Sequence, residues 1–373
     1  MKKLTAALLV VLWAAACGPG RSPAERSMEG GVEVVFNRAQ PFRSGQEGPF
    51  ALEEVMRIDA ETETRIPEIL GFEVDAAGEV FVLRWYVGEG DFVVKFDAGG
   101  RFLKSFGRKG QGPGELENPH HIALGRDDRL LISDLGRRLI SEFDKDGAFV
   151  GTHPLGQAVR AGAGPGDTWI TQAVDQKIDM DKQQMTWSAR LLDSMFKEIK
   201  ELDSLKVLMS RSDFPFPEPL LCWSASSDRA FVANEAHGYE IRIFGPDGRL
   251  ERMIRKESAP VPISDEFKAK ALKPLPEPMW KAIHFPEYHT PYQSLAASDD
   301  GRLLVMTFEP GDRPGEFLFD VFDKDGALIG RKSLNGHVWE GHLWIKIRGG
   351  RFYCLREKPN GFKEIAVSRI TWK

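Results

Sequence analysis

His121-Ile122-Ala123-Leu124-Gly125-Arg126-Asp127-Asp128-Arg129-Leu130-Leu131-Ile132-Ser133-Asp134, with Glu142-Phe143-Asp144-Lys145-Asp146-Gly147-Ala148-Phe149 shortly after it, is the stretch on which the fold turns. It reads as an apolar strand, a polar turn, a second apolar strand, and then an aromatic residue leading an Asp-x-x-Gly turn. Short apolar runs bounded by Asp and Gly are strand pairs, because tight turns need the positive φ that Gly, Asn and Asp tolerate. The same unit is spelled by Gly71-Phe72-Glu73-Val74-Asp75-Ala76-Ala77-Gly78-Glu79-Val80-Phe81-Val82-Leu83 and Lys95-Phe96-Asp97-Ala98-Gly99-Gly100. Later copies run over 222–233 with Ile243-Phe244-Gly245-Pro246-Asp247-Gly248, and over 295–306 with Val321-Phe322-Asp323-Lys324-Asp325-Gly326. A weaker copy covers 169–199, with Leu192-Asp193 at its turn.

Taking Phe96, Phe143, Leu192, Phe244 and Phe322 as anchors, the spacings are 47, 49, 52 and 78 residues. Three of these match one β-propeller blade, for which a repeat of about 40–50 residues is typical. The fourth is longer by an insertion at 257–292, which begins as a short helix capped by Ser264 and continues past Pro274, Pro276 and Pro278. A sixth unit, 342–346, 351–355 and 364–372, has only three strands. An open edge invites pairing, so a strand at 52–58 is expected to complete that blade and close the ring. The fold class is therefore all-β: a six-bladed β-propeller, closed by an N-terminal strand that joins the last blade, with one helical, proline-rich insertion between blades four and five.

The domain reading follows. Residues 1–17 form a signal segment, since Lys2 and Lys3 precede an apolar run too short to span a bilayer. Ala14-Ala15-Ala16-Cys17-Gly18 resembles the lipobox of bacterial lipoproteins, which implies lipidation at Cys17 and a place in the bacterial envelope, on the periplasmic or outer-surface side. Residues 18–46, rich in Gly, Ser, Arg and Glu, are expected to be a flexible tether, and 47–373 the propeller. The formal net charge is -5 with both signs dispersed, so no basic face for nucleic acid is indicated. Cys222 and Cys354 fall in core strands of different blades and are expected to be buried thiols. The chain is expected to be monomeric.

Gly107-Arg108-Lys109-Gly110-Gln111-Gly112-Pro113-Gly114-Glu115-Leu116-Glu117-Asn118-Pro119 resembles the blade-connecting signature of NHL-repeat propellers and the related six-bladed propeller lipoproteins of bacteria. The likeness is strongest from 71 to 151. It implies the propeller fold, and members with this signature range from scaffolds to lyases and hydrolases, so fold does not choose the function.

Residues just before the innermost strands should converge on a channel mouth. These are Glu68, Asn118, His120, His121, Glu218, Gln293 and Glu340, with Tyr292 beside them. His121, His289 and His342, from three blades, could hold a divalent metal such as zinc, leaving an open position for water. That pattern resembles the peptidyl-hydroxyglycine lyase propeller in position only. Glu68, Asn118 and Asn234 are the counterpart of a gluconolactonase-like cation site that would take calcium. In the insertion, Trp280, Phe285 and Tyr288 are candidate recognition residues. The leading functional expectation is a lipid-anchored binding or scaffold module for a protein, peptide or glycan in the envelope. The alternative is a metal-assisted lyase or hydrolase in the channel.

Overall fold

The apolar runs of the repeat become the second strands of the blades, and in blades one, two and four these strands are buried along their whole length. Val80–Arg84, Leu130–Asp134 and Ala230–Asn234 each bury all five residues. A strand covered on both faces needs no polar side, so continuous apolar sequence replaces alternation. Outermost strands such as Phe102–Arg108 and Phe149–Pro154 face solvent for most of their length. The computed structural model describes residues 24–373 except 41–44, 46, 60–68, 86–89, 126, 157, 180–181, 211–213, 217–219, 337, 340–341 and 359. Cys17, Glu68, Glu218 and Glu340 lie outside the described residues.

The six blades are four-stranded antiparallel sheets. Blade one is Ile69–Val74, Val80–Arg84, Asp91–Phe96 and Phe102–Arg108. Blade two is Pro119–Leu124, Leu130–Asp134, Leu139–Phe143 and Phe149–Pro154. Blade three is Ala158–Ala163 followed by the long strands Trp169–Asp179, Lys182–Leu192 and Glu198–Ser210. Blade four is Leu221–Ala225, Ala230–Asn234, Glu240–Phe244 and Leu250–Lys256. Blade five is Ser294–Ala297, Leu303–Pro310, Glu316–Phe322 and Leu328–Asn335. Blade six is Ile345–Arg348, Arg351–Glu357 and Lys363–Trp372, completed by the N-terminal strand Phe50–Asp59. The closing pair runs antiparallel from Phe50 opposite Trp372 to Asp59 opposite Glu364. The Phe50 and Trp372 rings meet edge-on at 5.0 Å.

The core lies between blades rather than within them. One cluster joins Phe72, Phe81 and Val93 of blade one to Trp344 and Tyr353 of blade six and to Ile122 of blade two. Anchor Phe143 packs on Phe106 of the preceding blade, with ring centroids 5.3 Å apart. Each such burial contributes about 1.5–3 kcal/mol. The Asp-x-x-Gly turns share one geometry. Asp97 Oδ1 accepts from the backbone N–H of Gly99 and Arg101, and Asp323 Oδ1 from Asp325 and Ala327. The fourth residue has positive φ, as Gly100, Gly147, Gly248 and Gly326 do. Blade three puts Phe196 there, at φ 63°, and its ring stacks on Trp169 of the same blade and on His153 of blade two, with centroids 5.5 and 4.1 Å away.

Two expectations are corrected. The tether expected at 18–46 contains a hairpin, Glu25–Glu29 with Val32–Asn37, whose second strand pairs in parallel with Leu250–Lys256 and extends blade four to six strands. Val34 and Val35 are buried, and Asn37 bridges to blade five through Gly326 O and Leu328 N. Composition hid the apolar run Val34-Val35-Phe36 within the strand Val32–Asn37. Blade six was expected to begin at 342, whereas His342–Leu343 pairs back on Val338–Trp339 and the innermost strand starts at Ile345. The insertion holds the helix Asp265–Leu272, with Ser264 Oγ accepting from Phe267 N, and a second turn at Glu277–Trp280. Its strand Ile283–His284 pairs in parallel with Phe214–Pro215. No helix among the described residues is long and apolar enough to cross a membrane.

Candidate functional site

The innermost strands run toward one face, and their ends surround a cavity of about 210 Å³ lined from all six blades, by Glu73, His121, Gly162, Trp223, Ala297 and Lys346 among others. Most of the lining residues stand at the ends of the strands and in the turns after them, whereas His121 and His342, both expected at the channel, reach the cavity from the strand beginnings. Hydrogen bonds between blades fix its rim. Lys346 Nζ lies 2.7 Å from Glu73 Oε1, and Arg348 Nη1 donates to Val74 O, so blade six is tied to blade one. Asp299 Oδ2 accepts from Gly349 N, tying blade five to six, and Ser224 Oγ accepts from Ala297 N, tying four to five.

The middle of the channel is filled by aromatic and cationic side chains. The His121 and His342 rings meet edge-on at 5.0 Å, and Trp344 lies 5.6 and 4.5 Å from them. Trp223 is 6.4 Å from His342, with the Arg160 guanidinium 5.7 Å from its ring. Two glycines make room for the indoles. A Cβ at Gly71 would come within 2.0 Å of the Trp344 ring, and one at Gly162 within 2.1 Å of that of Trp223. His121 is only 5% exposed. Burial, reinforced by the charges of Arg160 and Lys346, holds its pKa well below the usual 6.5. His342 is displaced in the same direction, by burial first and then by His121, Lys346 and Arg160. The ring nitrogens of both are buried, with the Ala161 backbone within hydrogen-bonding reach of His121, and the Trp223 and Trp344 indole nitrogens are buried without a partner among the described residues.

The sequence-derived candidates divide accordingly. His121 and His342 come together in the channel. His289 does not join them: its ring stacks on Phe308 at 4.0 Å, meets Phe267 edge-on at 4.7 Å, and lines a second cavity of about 150 Å³. Among the described residues no group of three His, Cys, Asp or Glu side chains is placed to hold a metal ion. Asn118 sits exposed in the connection before blade two, its backbone N–H bonded to Asp134, and His120 is half-buried. The Gln293 amide donates to Thr307 O, and Tyr292 is fully buried against Tyr239. Asn234 caps the turn at Ala236 and bonds Asp203, so it faces a turn rather than a cation site. In the insertion, Trp280 and Tyr288 are exposed, while Phe285 packs on Phe216 at 5.5 Å. Cys222 and Cys354 are free and buried, with burial pushing both thiols up to about 12.

Sequence reasoning missed Glu73, Arg160, Trp223, Trp344 and Lys346. The usable signal was Gly71 and Gly162 inside innermost strands, since a strand-interior glycine marks a close approach. It also missed a polar knot beside the second cavity. There the fully buried Asp320 accepts from Tyr239 Oη at 2.7 Å and Arg331 Nε at 2.7 Å, and Lys256 Nζ lies 3.2 Å away. Arg331 reaches on to both oxygens of Glu309. With every charge met, this knot locks blade four to blade five.

No family model and no curated protein matches the chain. Among solved structures it is similar to a member of the DUF4221 family from Bacteroides vulgatus, at 10% identity over 88% of this chain and 100% of that one, with a TM-score of 0.52. Virginiamycin B lyase from Staphylococcus aureus aligns at 9% identity over 87% and 100% of the two chains, TM-score 0.38. The PQQ-bound aldose sugar dehydrogenase of Streptomyces coelicolor aligns at 10% identity over 86% and 98%, TM-score 0.45. The first of these likenesses shows the shared fold.

Proposed function

We propose that this protein is an exported, lipid-anchored propeller that binds an envelope protein, peptide or glycan at the cavity formed by the ends of its innermost strands. The observation that carries the reading is a cavity lined from all six blades, with Trp223, His121 and His342 in its wall and a rim held by bonds between blades. Concave sites lined by aromatic surface, with a few fixed polar groups, are where small ligands and protruding residues are held. Trp223 adds aromatic surface suited to a sugar ring or a planar side chain, and the Glu73, Lys346, Ser224 and Asp299 rim supplies directional polar contacts.

The test is a screen of glycan and peptide arrays with residues 24–373, repeated with Ala297→Trp, which places an indole in the mouth. Binding lost in a folded variant supports the reading, whereas undiminished binding puts the site elsewhere. The anchor is checked by metabolic labelling with a fatty-acid analogue. Label present in the wild type and absent from Cys17→Ser is the expected outcome, and an unlabelled wild type contradicts it.

A further inference from the structure

We infer that the insertion at 257–292 rests on the surface of the membrane to which the chain is anchored, so that the cavity opens away from the lipid. The inference rests on the proposed lipidation of Cys17 and adds how the propeller stands on the bilayer. Neighbouring strands of blade four run antiparallel, and its innermost strand ends at the cavity, so its fourth strand ends on the opposite face. That strand, Leu250–Lys256, delivers the chain to the opposite face, and the insertion leaves from there and returns to it at Ser294, where the innermost strand of blade five begins. Its strand Ile283–His284 pairs with Phe214–Pro215, between the fourth strand of blade three and the first of blade four. The insertion therefore reaches across that face instead of standing off at the side.

The N-terminal hairpin brings the anchored end of the chain to the same place. Glu25 pairs with Phe36, and Phe36 with Arg255, so the described chain begins beside the end of that fourth strand. Asn37 O accepts from Glu257 N, and Glu257 Oε2 from Ala39 N, which joins the hairpin to the first residue of the insertion. Seven residues follow Cys17 up to and including Ala24. Fully extended, they span at most about 25 Å. Running back along the seven residues of Leu250–Lys256 to the cavity face would use about 23 Å of that reach. The lipid is thus held to the face that carries the insertion.

What the insertion presents there suits a lipid–water boundary. Met279, Trp280 and Tyr288 are 48%, 39% and 41% exposed, and Lys270, Lys273 and Lys281 are exposed among them. The Trp280 indole N–H donates to Leu275 O, which fixes the ring. Tryptophan and tyrosine favour the headgroup level, and a lysine beside them can lay its stem along the apolar surface and keep its charge in water. Over 264–289 the charges cancel, Lys268, Lys270, Lys273 and Lys281 against Asp265, Glu266, Glu277 and Glu287. Contact is therefore aromatic and apolar, and it needs no anionic lipid.

The test uses the full chain recovered from membranes and reconstituted in phosphatidylcholine vesicles that carry a headgroup quencher. A fluorophore is placed at Lys281→Cys on the insertion or at Ser227→Cys on the cavity rim, both exposed positions, while Cys222 and Cys354 are buried. The label at 281 is expected to be quenched severalfold more than the label at 227, equally at low and high salt. Replacing Met279, Trp280 and Tyr288 together by serine should leave the protein on the vesicles through its lipid and remove most of the quenching at 281. All three side chains are exposed, so the fold is not at stake. Equal quenching at the two positions, or none at 281 while the protein stays on the vesicles, would overturn the inference with the anchor intact and give the insertion to a protein partner. A chain that carries no lipid and does not float with the vesicles would remove the anchor, and this inference with it.

Discussion

Gly162 and Trp223 belong to neighbouring blades and share one space. Alanine at Gly162 would drive its Cβ into the indole, forcing the ring to shift within a close-packed interface. Gly162→Ala is expected to destabilise the protein by about 1–3 kcal/mol, the cost of overpacking, seen as a lower urea midpoint with an altered near-ultraviolet signal. A second expectation concerns the channel histidines. Both are neutral in the folded state with pKa values well below 6.5, whereas the unfolded chain binds their protons near 6.5. Below about pH 6.5 the unfolded state therefore holds more protons, and stability falls as pH falls, by up to about 1.4 kcal/mol per unit per histidine. Urea midpoints at pH 7.5, 6.5 and 5.5 should show the decline, and His342→Gln should flatten part of it. A flat profile in the wild type would mean that the rings are already charged. At this scale the sequence was only partly legible. His121 and His342 were found because histidine is conspicuous, but Trp223, Trp344 and Arg160 look like core residues until the glycines facing them are seen.

The repeat made the strands of blades one, two, four and five readable, because a strand buried on both faces must be apolar throughout. Blade three was harder. Its Trp169–Asp179 and Lys182–Leu192 strands form a continuous ladder from Trp169 opposite Leu192 to Asp179 opposite Lys182, through a polar sequence. Backbone pairing needs no apolar side chains where a strand runs beyond the core. The N-terminal hairpin failed to register for a related reason, since only its second strand touches the core. Removing residues 24–37 would uncover the outer edge of blade four and the Val34 and Val35 contacts. A chain starting at 38 is expected to lose about 3–6 kcal/mol, from two buried aliphatic side chains. Its newly exposed edge should also favour self-association, visible by light scattering. Unchanged stability would make the hairpin an ornament.

The ring as a whole is closed by one antiparallel pair, Phe50–Asp59 with Lys363–Trp372, that joins a strand preceding blade one to the last strand of blade six. Its existence was deducible from a strand count, since a three-stranded last blade leaves an open edge. Its register was not, nor was the start of blade six at Ile345, where His342–Leu343 pairs back on Val338–Trp339 instead of opening the blade. A chain starting at residue 60 should lose the single cooperative calorimetric transition of the full ring, since blades six and one would part where the core is largest. Retention of one sharp transition would show that closure is not what holds the propeller together. The cavity was only half legible: His121 and His342 line it, but most of its wall comes from the strand ends and the turns after them, which carry no linear signal.

Hydrogen–deuterium exchange on residues 24–373, with and without a ligand taken from the arrays, tests the placement of the site most directly. Protection is expected in 223–227, 296–299 and 345–348, the segments that form the cavity wall. Protection confined to the insertion at 263–289, with the cavity wall unchanged, would contradict the account and move recognition to the opposite side of the ring.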